Sequence, residues 1–237
     1  MRQWIDQIPR ATFISWVIVL TNVAVWLAME AAGGSTNARV LLRFGVKVNA
    51  LVAEGQYWRL FTAMFLHIGL THLVFNMIGV LSYGRITEMI FGHARFAAIY
   101  VVGGLAGSMF SYLFGRYPSA GASGAIVGVA GALAMFYALH RRAFPVAQGQ
   151  LVGLVVVLFG IIGYGLVQPG IDNWGHLGGL VGGLVMGAAL APRLVVVTGP
   201  EGAPTRIERR PSPAQTWLAV PAALAIIAII VAAKTGG

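Results

Sequence analysis

Seven stretches of this chain are long and apolar enough to be read as membrane crossings, and no other property restricts its possible folds so severely. A helix needs about 20 mainly apolar residues to traverse a hydrocarbon core of roughly 30 Å. Where water is absent, only helices and closed barrels can pair every backbone N–H and C=O. The stretches run from 13 to 31, 60 to 82, 94 to 114, 122 to 140, 150 to 167, 173 to 191 and 215 to 233. Each is bounded by charges, glycine or proline. Charged residues make up 10% of the 237, against roughly 25% in soluble domains, which excludes an ordinary water-soluble protein. The expected fold is an all-α polytopic membrane helical bundle with seven transmembrane helices.

No repeat or composition shift divides these spans, so the sequence predicts a single membrane domain over 1–237. Residues 1–191 form a six-helix core, a Pro-, Gly- and Arg-rich linker at 192–214 forms a loose cytoplasmic tether, and 215–237 holds the seventh helix. Trp4 and Asp6 precede the first stretch, which is read as a retained helix rather than a cleaved leader. The net charge of +9 would suit nucleic acid if it were clustered. It instead punctuates the gaps between spans, so no nucleic-acid partner is expected. Arg2 and Arg10, Arg85 and Arg95, Arg141 and Arg142, and Arg193, Arg206, Arg209 and Arg210 fall on alternate sides of the spans. The positive-inside rule then puts the N-terminus in the cytoplasm. The first outer loop is itself basic, with Arg39, Arg43 and Lys47 among Leu41, Leu42, Phe44, Val46 and Val48, a composition suited to the membrane interface. Cysteine is absent, which excludes disulfides and thiolate chemistry.

A polar group inside a span is costly and marks a candidate functional position. The candidates are His67, His72 and Asn76 in the second span, Ser123 at the start of the fourth and His176 at the start of the sixth. His72 and Asn76, four apart, share a helix face; His67 sits about 140° round from His72 by helical geometry. Two donors on one face suit either an interhelical hydrogen-bond pair or the stabilisation of negative charge on a carbonyl oxygen. Ser123, in Gly121-Ala122-Ser123-Gly124 after Pro118, falls in a first helical turn, where a serine serves as a cap or, beside a base, as a nucleophile. The topology puts His176 at the same membrane face as Ser123, and a neutral imidazole there can take and return a hydroxyl proton. Asp172, one turn before His176, reads as a helix cap before it reads as a third catalytic member. His67 and His72 are five apart, which does not fit a His-Glu-x-x-His metal site, and no metal or other cofactor is expected. His93 and His140 read as solvated residues at cytoplasmic ends. Gly121, Gly124, Gly128 and Gly131, like Gly175, Gly179, Gly183 and Gly187, recur at three- and four-residue spacing, as small residues do where helices pack closely.

Taken together these residues resemble the rhomboid family of intramembrane serine proteases, over roughly Gln56 to Leu190. The segment Tyr57-Trp58-Arg59-Leu60, then Phe65-Leu66-His67 with His72 and Asn76, is similar to the family's Trp-Arg loop motif and second helix. Gly121-Ala122-Ser123-Gly124 with Gly128, and Gly175-His176 with Gly179 and Gly183, resemble its serine and histidine motifs. The resemblance implies that Ser123 is the nucleophile and His176 the general base, without a carboxylate. It implies an oxyanion hole of His72, Asn76 and the Ser123 backbone N–H, with His67, Arg59, Glu88, Gly121 and Gly124 in support. The implied substrates are transmembrane proteins, cut in or beside their helices near the outer face of a bilayer; the excess of Arg over Lys and the abundance of Ala and Gly are compatible with a bacterial plasma membrane. Many members carry an aromatic residue four positions after the serine, and here Val127 stands there. The alternative within the same fold is an inactive relative that binds transmembrane segments. A transporter would need matching halves, and no such symmetry is present.

Overall fold

The computed structural model describes residues 11–142, 144–198, 204–210 and 213–236. Trp4 and Asp6, and the charges at Arg2 and Arg10, lie outside them. The first apolar run closes into helix α1 (Phe13–Ala31). Two short helices follow in the first loop, α2 (Ala38–Phe44) and α3 (Asn49–Ala53). The loop builds a small core of its own, with Val40 and Val46 packed against Met29 and Leu66. Val46 therefore turns inward rather than to the membrane interface, whereas Leu42 remains exposed.

The second apolar run, expected as one helix over 60–82, is broken. Helix α4 (Arg59–Thr62) and a 3₁₀ turn (Ala63–Phe65) meet the segment Gly69–Phe91 at 91°. Gly69 takes φ +77°, a left-handed conformation that costs a glycine little. Its N–H is met by Ser35 Oγ at 3.1 Å. Beyond the break the chain runs as α5 (Gly69–Gly79), a π-helical turn (Val80–Gly84) and α6 (Arg85–Phe91). Nothing in the hydropathy of 60–82 marks the break. The run is apolar on both sides of it, and a single glycine is compatible with a continuous helix.

The remaining spans are α7 (His93–Phe114), α8 (Ser123–His140), α9 (Pro145–Val167), α10 (Asn173–Leu190) and α11 (Ala219–Gly236), the last preceded by a 3₁₀ turn at Ala214–Leu218. Five described helical segments are long and apolar enough to cross a membrane, and six if the bent pair is one span. Helix α10 falls short because Asn173, His176 and six glycines dilute its apolarity. It nonetheless occupies the centre of the bundle. The linker, expected as a loose tether, carries a two-stranded antiparallel hairpin, β1 (Arg193–Thr198) with β2 (Pro204–Arg210). The membrane part is all-α among the described residues.

Burial separates core helices from peripheral ones. The apolar windows of α7 and α8 are 61% and 67% buried, and those of α9 and the terminal span only 11%. Helix α10 lies between α7 and α8. Gly178 and Gly182 face Ala106 of α7, so that an added Cβ at Gly182 would stand 2.8 Å from the Ala106 methyl. On its other side a Cβ at Gly179 or Gly183 would overlap the carbonyl of Gly124 or Gly128 in α8. The glycine stripes thus let backbone meet backbone, and van der Waals contact replaces a hydrophobic driving force that lipid cannot supply.

Charged and polar residues staple the outer elements to this core. Glu88 is 1% exposed, and its carboxylate accepts from the Ile14 and Ser15 N–H groups and the Ser15 hydroxyl at 2.6–2.8 Å, capping α1 from a neighbouring helix. His93 Nδ1 reaches the same carboxylate. At the far end of α8, His140 contacts the Phe136 carbonyl through Nδ1 and accepts the Leu194 N–H of β1 through Nε2. His93 stays exposed, as expected from sequence, but is paired, whereas His140 is half-buried and not the solvated residue expected. Arg59 is buried and donates to the Leu42 and Val46 carbonyls and to Gln56 Oε1, which ties the first loop to the bend.

Candidate active site

Ser123 opens helix α8, with Ala122 in the N-cap position, so its hydroxyl is not used as the cap. The hydroxyl is instead 3.0 Å from Nε2 of His176 in the first turn of α10. The glycine contacts between α8 and α10 produce this approach. Gly124 and Gly175 meet directly below the pair, where a Cβ at Gly124 would stand 3.2 Å from the Gly175 carbonyl. His176 is 6% exposed and Ser123 is half-buried. With the imidazole proton on Nδ1, Nε2 is free to accept from the serine hydroxyl.

Asp172 does not join this pair. Its Oδ1 accepts the Gly175 N–H at 2.9 Å and caps α10, and the Nδ1 atom of His176 has no hydrogen-bond partner. The contact joins two side chains, serine hydroxyl and histidine imidazole, an arrangement in which the ring can take the hydroxyl proton.

The break in the second span brings His67 and His72 beside the serine loop. His67 lies in the break itself, outside any helix, so its offset from His72 is set by the bend and not by helical phase. It is fully buried, its Nε2 accepts the Ala122 N–H at 3.4 Å, and its ring meets that of His72 edge-on with centroids 5.2 Å apart. His72, on the first turns of α5, accepts the Ile68 N–H through Nδ1 at 3.3 Å, which leaves Nε2 as its free nitrogen. That nitrogen lies against Gly121, where an added Cβ would be 2.7 Å away. Gly121 also has φ +124°, so conformation and space both require glycine. Asn76, one turn below His72, is 6% exposed and donates to the His72 carbonyl at 2.8 Å, while its Oδ1 has no partner. Val127 is buried in the cluster that α8 makes with Leu154 and Leu158 of α9.

Sequence reasoning missed the polar anchorage of the serine loop. The Gly121 N–H donates to the Ala63 carbonyl at 2.9 Å, and Ser119 pairs with Lys47 in an antiparallel bridge. Backbone partners carry no side-chain signal, and a lysine in a basic loop reads as solvated. Among the described residues no three His, Cys, Asp or Glu gather in an arrangement that could hold a metal.

Comparison with known proteins bears on the same segments. A family model described as the Rhomboid domain matches residues 54–193. The chain is 41% identical over 176 residues to "Rhomboid protease GluP" of Bacillus subtilis, covering 74% of this chain and 34% of that protein. It is 38% identical over 209 residues to "RHOMBOID-like protein 6, mitochondrial" of Arabidopsis thaliana, covering 73% and 67%. To "RHOMBOID-like protein 5" of the same plant it is 35% identical over 156 residues, covering 65% and 50%. The match thus spans about a third of the Bacillus protein and half or more of the two plant proteins.

Proposed function

The chain belongs to the rhomboid family, and on that premise we propose that this integral membrane protein is an intramembrane serine endopeptidase that hydrolyses peptide bonds in or beside the transmembrane helices of other membrane proteins. The observation that carries the reading is the 3.0 Å approach of Ser123 Oγ to His176 Nε2 at the joined ends of two glycine-packed helices. As Ser123 attacks, Nε2 takes its proton and then passes it to the leaving amine; water later hydrolyses the acyl-enzyme by the same relay. The oxyanion is met by the Ser123 N–H in the unpaired first turn of α8, with the free Nε2 of His72 and the Asn76 amide on the facing helix. Donors of this kind contribute about 3 to 4 kcal/mol each to acyl transfer. His67, Arg59, Glu88, Gly121 and Gly124 hold these elements in place, and no cofactor takes part.

Residues 1–191 form the catalytic core in this reading, 192–214 a cytoplasmic linker and 215–237 a seventh span. Arg85, Arg95, Arg141 and Arg142 fall at the end of the bundle opposite Ser123, which supports a cytoplasmic N-terminus and a site open toward the outer face of a bacterial plasma membrane. A substrate helix must unwind to expose its carbonyl, so Gly, Ala or Ser near the cut should favour cleavage and stiff helix formers should slow it.

The test is cleavage of a single-span model protein by the purified chain, beside Ser123→Ala and His176→Ala. Both variants should lose cleavage while retaining fold. Cleavage that survives Ser123→Ala would overturn the assignment, and a wild-type chain that binds the span without cutting it would favour a trafficking role.

A further inference from the structure

Lys47 is the largest side chain in the described structure that is completely shielded from solvent. Its ammonium lies where three segments cross: the first loop, the C-terminal end of α7 and the stretch from 115 to 122 that leads into Ser123. The ammonium donates to Asn49 Oδ1 at 2.9 Å, to the Ser111 carbonyl at 3.1 Å and to the Tyr117 carbonyl at 3.1 Å, so all three of its protons are used. Asn49 in turn donates to the Tyr112 and Gly115 carbonyls at 3.2 and 2.8 Å.

Capping of α7 alone would account for the bond to Ser111, whose carbonyl also accepts the Gly115 N–H at 3.0 Å, because a cation suits the negative end of a helix dipole. It does not account for the rest. Lys47 also exchanges backbone hydrogen bonds with Ser119 at 3.1 and 3.0 Å. The segment before the serine is therefore gripped at Tyr117 and Ser119 by Lys47, at Gly121 by the Ala63 carbonyl and at Ala122 by His67. Ser123 is the next residue. Proline and left-handed glycine within this segment set its local shape; Asn49 holds its start at Gly115 to the end of α7, and the ammonium ties Tyr117, closer to the serine, to the same helix end.

We propose that Lys47 is a positioning residue for Ser123, its ammonium fixing the register in which the 117–122 segment delivers the serine and its backbone N–H to the site. The inference rests on the reading of Ser123 as nucleophile. Lys47 touches no reacting atom and acts through the loop. Small displacements of a nucleophile are costly in rate, and a loop held by hydrogen bonds has several registers open once its anchor is gone.

The experiment uses the full chain with Lys47→Met, which keeps the length of the stem, and with Lys47→Gln, which keeps a donor should the methionine variant fold poorly. Two readouts are compared with wild type: kcat and KM on a single-span substrate, and the rate of covalent labelling of Ser123 by a fluorophosphonate. The expected result is a fall of about tenfold or more in kcat and in labelling rate, with KM within about twofold, for the methionine variant, and a smaller fall for glutamine. A purely architectural role would lower the fraction of enzyme that labels and leave the rate of the labelled fraction unchanged; that result, or a rise in KM at constant kcat, overturns the proposal. Amide exchange supplies a readout independent of catalysis. Faster exchange confined to Ser119, Gly121 and Ala122 is expected, and unchanged protection there overturns the assignment. A wild-type chain that neither cleaves nor labels at Ser123 would sink the protease reading, and exchange alone would then decide whether Lys47 sets the loop.

Discussion

Lys47 and Glu88 are both removed from water, and their surroundings treat charge differently. Four groups converge on the Glu88 carboxylate, among them two N–H groups of a helix start. Glu88→Gln would replace one acceptor oxygen by an NH₂ that faces those donors. The expected cost is about 1 to 3 kcal/mol, read as a lower thermal unfolding temperature in detergent. Burial holds the Lys47 ammonium down from 10.5 to about 8, with Asp172 opposing the shift. Because this pKa is lower in the folded chain than in the unfolded one, the unfolded state binds more protons between pH 8 and 10.5, and stability rises with pH through that window. The full span corresponds to about 3 kcal/mol, so wild type should gain unfolding temperature relative to Lys47→Met as pH is raised from 8 to 10. A difference that stays flat would mean that the ammonium is effectively hydrated. At this scale the sequence was partly legible. Ser123 and His176 stood out as polar groups at matching ends of apolar runs, whereas Lys47 lay among Arg39, Arg43 and five apolar neighbours with nothing to show that it is buried.

At the scale of elements, the glycines of α10 and α9 offer a direct contrast. A Cβ on Gly179 or Gly183 would overlap the backbone of α8, so Gly179→Ala or Gly183→Ala must push the two helices apart. Ser123 and His176 ride on the ends of those helices, and both variants should lose cleavage together with about 2 kcal/mol or more of stability. Gly160 and Gly163 of α9 have nothing within 4 Å, and alanine there should be neutral or stabilise by up to about 1 kcal/mol. Thermal unfolding of the four single variants checks both halves. The spacing of the glycines already pointed to close packing, because residues four apart share a helix face. The bend at 66–68 was not legible. It depends on side chains that receive the chain as it turns, the Ser35 hydroxyl at the Gly69 N–H and the His72 ring at the Ile68 N–H, and the first of these comes from 34 residues away.

On the scale of the whole molecule, a buried centre of α7, α8 and α10 carries a loosely attached periphery. The terminal helix buries only Ile227 and Val231 and adds a 3.2 Å contact between Thr235 and the Tyr112 hydroxyl. Removal of residues 213–237 should therefore lower the unfolding temperature by a few degrees, since for a chain of this size about 1 kcal/mol is worth roughly 2 to 4 °C, and leave Ser123 labelling intact. Loss of labelling would show that the terminal span shapes the core. The polytopic all-α plan was legible because membrane burial imposes a length on every crossing, whereas the count of seven was not matched: five described segments, or six with the bent pair, are long and apolar enough. The pairing of strands 193–198 and 204–210 was not legible, since proline and glycine there read as a tether. The seam between α8 and α10 has one further consequence. Side chains can change rotamer and repack as temperature rises, but a joint made of main chain touching main chain has no such freedom. The gap between hydroxyl and imidazole is set as in a machined bearing, by the thickness of two backbones. On warming, the activity of each molecule should hold until the joint itself parts, so inactivation and unfolding should coincide instead of a gradual decline running ahead of the melt.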